Sequence, residues 1–120
     1  NVEKFKIFFK KVSQDPDMGA STASVVRMNI GANNTSLIVI LKWNPLRFSE
    51  KYLRKYHLSG PLDTKFCEGL DIPDTAHTFV QGEIETLSMD HWMKTWKIEL
   101  FIENHLWSST EIVMEKVIKG

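Results

Sequence analysis

The strongest feature of the hydrophobic pattern is the stretch Thr35–Pro45, in which most positions are apolar. In an extended chain, side chains alternate sides, so one face would carry Leu37, Val39, Leu41 and Trp43. Ile38 and Ile40 fill the other face, and β-branched and aromatic residues favour a pleated, packed surface. Because turn residues flank the stretch on both sides, the pattern predicts a strand deep within a sheet.

Six further segments have the alternation or the apolar content of strands and are separated by turn residues. They are Val2–Val12, Val25–Ile30, Tyr52–Leu58, Thr78–Leu87, Thr95–Asn104 and Ile112–Ile118. Lysines along one face of the first segment are typical of an edge strand, where charge hinders pairing with other chains. Gly82 is expected to mark a bulge. Residues 13–24 are expected to form a loop, and residues 88–94 a corner.

The segment Ser49–Leu58 fits two patterns. As a helix it would begin at Ser49, with Tyr52, Leu53 and Tyr56 at helical spacing. As a strand it would end at the turn signal of residues 59–61. We favour a strand over at least Tyr52–Leu58, because the neighbouring segments are strands. About seven strands then predict one all-β domain over residues 1–120, an antiparallel two-sheet β-sandwich.

Three parts of the chain resemble a fibronectin type III domain. They are the strand ending in Trp43 and followed by Pro45, the Tyr56-x-Leu58 pair, and the alternation Trp96 to Asn104. Trp96 stands where that family has its tyrosine corner and has no hydroxyl to bond the upstream backbone. An immunoglobulin-like or C2-like sandwich would give much the same pattern. The resemblance implies a sandwich that binds proteins or spaces other domains.

Composition narrows the classes of partner. The chain has 120 residues with fifteen basic and fifteen acidic side chains, so its net charge is zero. Neutrality argues against a nucleic-acid binder or a polybasic membrane-surface protein. No apolar run approaches the roughly 18 residues that span a bilayer, so we expect no transmembrane segment in this chain. Residue 1 is Asn rather than Met, so we expect a domain excised from a larger protein.

Two features point to different compartments. The lone Cys67 excludes an internal disulfide and favours a reducing compartment. Residues 33–36 contain two overlapping N-x-[ST] sequons, which make Asn33 and Asn34 candidate glycosylation sites in a secreted protein. The sequence therefore leaves open an extracellular ectodomain and a cytoplasmic or nuclear interaction domain.

Catalytic and metal-binding patterns were sought along the whole sequence. The four histidines and Cys67 lack the local spacing of a zinc site, and the chain has no Gly-rich phosphate loop and no nucleophile elbow. Cys67 paired with a distant His would be the one candidate nucleophile. Loop aspartates would suit calcium only in a C2-like fold. We therefore predict no catalytic residues, no metal and no cofactor.

Four tryptophans bear on binding, since Trp anchors many protein interfaces. Trp43 and Trp96 lie on apolar strand faces and are expected in the core. A candidate partner surface lies at predicted corners and consists of Met89, Trp92, Met93 and Trp107; the two tryptophans could equally cap the ends of the core. We predict a non-enzymatic protein-interaction or structural module of a receptor- or adhesion-like protein. The alternatives are a C2-like calcium- or lipid-binding sandwich and an intracellular interaction domain.

Overall fold

The computed structural model describes residues 2–31, 34–48, 52–60, 72, 74–88 and 90–119. These residues form seven strands in two antiparallel sheets and contain no helix. The strands are β1 (Val2–Gln14), β2 (Thr22–Ile30), β3 (Thr35–Trp43), β4 (Tyr52–Gly60), β5 (Ala76–Ser88), β6 (His91–Ile102) and β7 (His105–Lys119). One sheet has the order β1-β7-β6-β5 and the other the order β2-β3-β4. The predicted all-β sandwich is confirmed.

The core lies between the sheets and follows the predicted alternation. In β3 the buried row is Thr35, Leu37, Val39, Leu41 and Trp43. In β6 every second residue from Trp92 to Ile102 is buried. Period-two burial places one face of each central strand against the other sheet. The predicted core positions of Trp43 and Trp96 are confirmed.

Strand β4 resolves the segment that fitted two patterns. Residues Tyr52–Gly60 form a strand that pairs with β3, from Trp43 opposite Tyr52 to Thr35 opposite Gly60. The predicted strand is confirmed, and residues 49–51 lie outside the described residues. Lys4, Lys6 and Lys10 also lie on an edge strand as predicted, since β1 ends its sheet.

Several predicted boundaries were wrong. Strand β2 begins at Thr22 rather than Val25, β5 at Ala76 rather than Thr78, and β7 at His105 rather than Ile112. Polar stretches at strand ends are paired here by neighbouring strands, which local turn propensity does not register. The predicted corner at 88–94 is shorter, because β6 already begins at His91. The hairpin between β6 and β7 turns at Glu103 and Asn104. Both residues have positive φ (51° and 65°), as such short turns require.

Gly82 does not mark a bulge. It stays in register opposite Trp96, and the register shift of β5 lies between Thr86 and Ser88. A Cβ at position 82 would lie 3.3 Å from Cδ1 of Trp96. The glycine therefore makes room for the indole ring, which is the other common reason for glycine in a strand.

The strand order differs from that of immunoglobulin-type sandwiches, in which the second and third strands lie in opposite sheets. Here β2 and β3 pair with each other, from Ile30 opposite Thr35. At this connection the N–H of Gly31 donates to the carbonyl oxygen of Asn34 at 3.0 Å. A connection this short keeps both strands in one sheet. The resemblance to fibronectin type III domains thus covers the architecture and not this strand order.

Candidate interaction surface

The residues predicted to form a partner surface lie in different environments. Trp92 and Trp107 belong to the core cluster, with 9% and 4% of their surface exposed. Met93 is half-buried on the opposite face of β6, and Met89 lies outside the described residues. The two indoles therefore do not present an exposed Met-Trp corner. Of the sequon residues, Asn34 is exposed before β3, and Asn33 lies outside the described residues.

The two tryptophans lie at opposite ends of the core. The Trp92 ring packs edge-on against Phe5, with 6.5 Å between ring centroids. Trp107 packs against Phe48 at 5.9 Å, and the Arg47 guanidinium lies 5.8 Å from its ring. Their large rings bury apolar surface where the strands begin and end, which stabilises both ends of the sandwich.

The exposed apolar side chains concentrate on the strands β1 and β2. Seven of the ten exposed large hydrophobic residues belong to them: Phe8, Phe9, Val12, Val25, Val26, Met28 and Ile30. Single exposed hydrophobic residues are ordinary, but a contiguous group on a soluble domain marks an interaction surface. The sequence analysis missed this group, because it cannot tell an edge strand without a cover from a strand buried between two neighbours.

β1 and β2 end their respective sheets, and no described strand joins them. We call the space between these two strands the β1/β2 seam. One end of the seam is held closed by Gln14, whose Nε2 donates to the carbonyl oxygens of Met18 and Gly19 at 3.3 and 3.4 Å. Ser21 Oγ also donates to Gln14 Oε1 at 3.1 Å. These bonds tie the end of β1 to the loop of residues 15–21, which leads into β2.

A cavity of about 160 Å³ lies at this closed end. Phe9 and Lys11 of β1 and Ala23 of β2 line its walls, and Leu41 and Trp43 of the core line it further in. Ser21, Thr22 and Thr110 complete the lining, so the cavity has both apolar and polar walls. Through this cavity, a ligand that enters the seam would reach the core side chains Leu41 and Trp43 of β3.

The inward side chains of β2 become more exposed away from the closed end of the seam. The inward row of β2, defined by its pairing with the buried row of β3, consists of Ala23, Val25, Met28 and Ile30. Ala23 is half-buried, whereas 39% of Val25, 40% of Met28 and 50% of Ile30 is exposed. The exposed fraction of the side chains that point between the sheets therefore increases along β2 from Ala23 to Ile30.

The electrostatics of the seam are set by β1. That strand has four lysines and one glutamate, and the only charged residue of β2 is Arg27. On the outer face of the four-stranded sheet, Lys6 and Lys10 lie opposite Glu115 and Glu111 of β7. On the side away from β7, β1 pairs with no described strand. The seam is thus basic in a chain whose net charge is zero.

The loop at the closed end is fixed by Asp15. Its backbone N–H donates to the carbonyl oxygen of Trp107 at 2.9 Å, and its Oδ2 lies 2.7 Å from Nε2 of His105. The N–H of Asp17 donates to Oδ1 at 2.8 Å. This backbone hydrogen bond and the His105 ring hold the pKa of the Asp15 carboxyl below its ordinary value of 3.8.

The opposite long side of the sandwich, between β4 and β5, is bridged. Tyr56 Oη donates to Oγ1 of Thr78 at 2.9 Å, and Nη1 of Arg54 donates to the same oxygen at 3.3 Å. Lys94 adds a further link between the sheets, because its Nζ donates to the carbonyl oxygen of Ser59 at 2.9 Å. These three bonds join the sheets through buried or half-buried polar groups.

A smaller aromatic group is exposed on the outer face of β5 and β6. The His77 and Phe101 rings stack with centroids 5.3 Å apart and planes 6° apart. Phe79 packs edge-on against Phe101 at 6.3 Å. This group lies on a single sheet face and borders no cavity described here, so it is a weaker candidate for a binding site than the seam.

The described residues contain no group of three or more His, Cys, Asp or Glu side chains placed to hold a metal ion. Nor do they contain a helix that is long and apolar enough to cross a membrane. In comparisons with protein-family models, curated proteins and solved structures, nothing matches this chain. Its function must therefore be argued from its own residues.

Proposed function

We propose that this chain is a non-enzymatic protein-interaction module that binds its partner through β1 and β2. The observation that carries the proposal is the concentration of exposed apolar side chains on these two edge strands. Edge strands with uncovered apolar residues are the usual place for another chain to add. The two-sheet sandwich architecture, which fibronectin type III domains share, also supports a role in protein binding, although the strand order differs.

We further propose a place for the module in a receptor- or adhesion-like ectodomain. The exposed Asn34 at the β2–β3 connection supports this, because glycans are added to accessible Asn residues of N-x-[ST] sequons. The test is the intact mass of the chain produced through a eukaryotic secretory pathway, before and after treatment with a glycan-cleaving amidase. A well-folded, secreted and unmodified product would favour an intracellular interaction domain instead.

Site-specific photo-crosslinking tests the proposed binding surface. A photoreactive amino acid replaces the exposed Val26 on β2, and in a matched variant it replaces His57, which is also exposed and lies on the outer face of β4. After irradiation in an extract of the source tissue, we expect one discrete adduct from position 26 and none from position 57. Equal adduct patterns from both positions would contradict the proposal.

A further inference from the structure

We infer that the β1/β2 seam is the docking site for one extended, acidic strand of a partner protein, which pairs with the free edge of β1. This inference rests on the proposed protein-binding function and adds the conformation and charge of the partner segment. Three independent features of the seam support it: its free backbone edge, its alternating side chains and its charge.

The backbone provides the first feature. β1 pairs with β7 along one edge, and none of the described strands pairs with its other edge. The pairing with β7 is regular from Lys4 to Lys11 and shifts register between Lys11 and Ser13. Because a bulge bends the strand and interrupts its ladder, an added strand would pair along Lys4–Lys11. Backbone hydrogen bonds would supply affinity without depending on the partner's sequence.

The alternation of inward and outward side chains along β1 determines which side chains of the incoming strand must be apolar. Phe5, Ile7 and Phe9 point to the core side of β1, since each lies opposite an inward residue of β7. Side chains of an added strand on that side would contact them and the inward row of β2 across the seam. Val25, Met28 and Ile30 would thereby lose water contact, which stabilises the complex through apolar burial.

Charge selects the other face of the incoming strand. Lys4, Lys6 and Lys10 share the outward face of β1 with Phe8, so an added strand would meet a lysine at three of these four positions. Acidic side chains at those positions would pair with the lysines. A second copy of β1 would instead bring lysine opposite lysine, and like charges directly opposite each other are destabilising. The complementary occupant is therefore a heterologous strand in which acidic and apolar residues alternate.

The probe for this inference is a short labelled peptide in which Glu alternates with Val and Ile. Two peptides serve as controls: one with Lys in place of Glu, and one of identical composition with the Glu residues grouped at one end. Fluorescence anisotropy measures binding to the intact chain at low and high salt. We expect saturable, salt-sensitive binding of the alternating acidic peptide and at least about tenfold weaker binding of both controls, because charge and alternation are both required.

A pair of variants matched in charge localises the effect. The double substitution Lys6→Glu and Lys10→Glu reverses two charges at the seam. Lys42→Glu and Lys55→Glu reverse two exposed charges on the outer face of the other sheet. We expect the first variant to weaken peptide binding about tenfold and the second to change it less than about twofold, because Lys42 and Lys55 lie away from the seam and salt screens distant charges. Circular dichroism verifies that both variants are folded.

Hydrogen exchange identifies the paired strand. Bound peptide should slow exchange of β1 amides and leave unchanged those of β5, the opposite edge of the same sheet, which carries Glu83 and Glu85. Protection of β5, equal binding of the acidic and basic peptides, or no binding would overturn the inference. If a Val26 adduct still forms after such a result, the protein-binding function stands without the acidic strand. Peptide-independent dimers that protect β1 would identify a second copy as the occupant.

Discussion

The two long sides of this sandwich differ in how the two sheets are connected. Between β4 and β5, side-chain hydrogen bonds cross from sheet to sheet and the large Tyr56 is fully buried. Between β1 and β2, Gln14 bonds the connecting loop at one end, and much of the inward row of β2 is exposed. A sandwich needs its core sealed along both sides. The bridged side therefore has more polar links between the sheets, and the more exposed side is the one through which we propose that a partner binds.

The largest expected effect comes from truncating one inward side chain on each side. Tyr56→Ala removes a fully buried ring and should lower the free energy of unfolding by about 3–5 kcal/mol, the range for large aromatic truncations. Met28→Ala removes a side chain that is 40% exposed and should lower it by about 1 kcal/mol or less, because little surface is returned to water. Urea denaturation of both variants measures the difference. Equal losses would show that the two sides contribute equally to the core.

A smaller effect isolates the hydrogen bond on the bridged side. Tyr56→Phe keeps the ring and removes the hydroxyl that donates to Thr78 Oγ1. We expect a loss of about 1 kcal/mol, the usual net value of such a bond. A double-mutant cycle with Thr78→Val, also measured by urea denaturation, separates the bond from the loss of each group. Strictly additive losses would mean that this bond does not couple the sheets.

The sequence was sufficient for the parts of the fold that depend on alternation. Strand β3, the strand character of Tyr52–Leu58 and the core positions of Trp43 and Trp96 follow from period-two burial and local composition. Strand order does not follow, because it depends on which distant segments pair. For the same reason the pattern VVRMNI indicated a strand without revealing that only one of its edges pairs with a described strand. The tryptophans were ambiguous since corner positions suit both core caps and exposed anchors, and only the packing of Phe5 and Phe48 distinguishes the two.

The smallest expected effect concerns the closed end of the seam. Asp15→Asn removes the negative charge of the carboxylate that accepts the N–H of Asp17 and contacts the His105 ring. A carboxyl whose pKa is lowered by folding contributes stability above its unfolded pKa, and this contribution is lost as pH falls through the folded pKa. The stability advantage of the original chain over Asp15→Asn should therefore be present above the unfolded pKa of this carboxyl. It should shrink as pH falls below the ordinary value of 3.8.

Urea denaturation from pH 7 down to pH 2.5 measures this difference, with Asp17→Asn as the matched control. Asp17 has the same charge, and its carboxylate lies 3.6 Å from Arg47 in an ion pair exposed on both sides, which contributes little. Hydrogen exchange sharpens the comparison of the two sides. If Asp15 latches the loop that closes the seam, Asp15→Asn should speed exchange in β2 and leave β4 unchanged, because local opening follows the weakest contacts. Faster exchange in both strands would mean that the loop stabilises the whole sandwich rather than its open side.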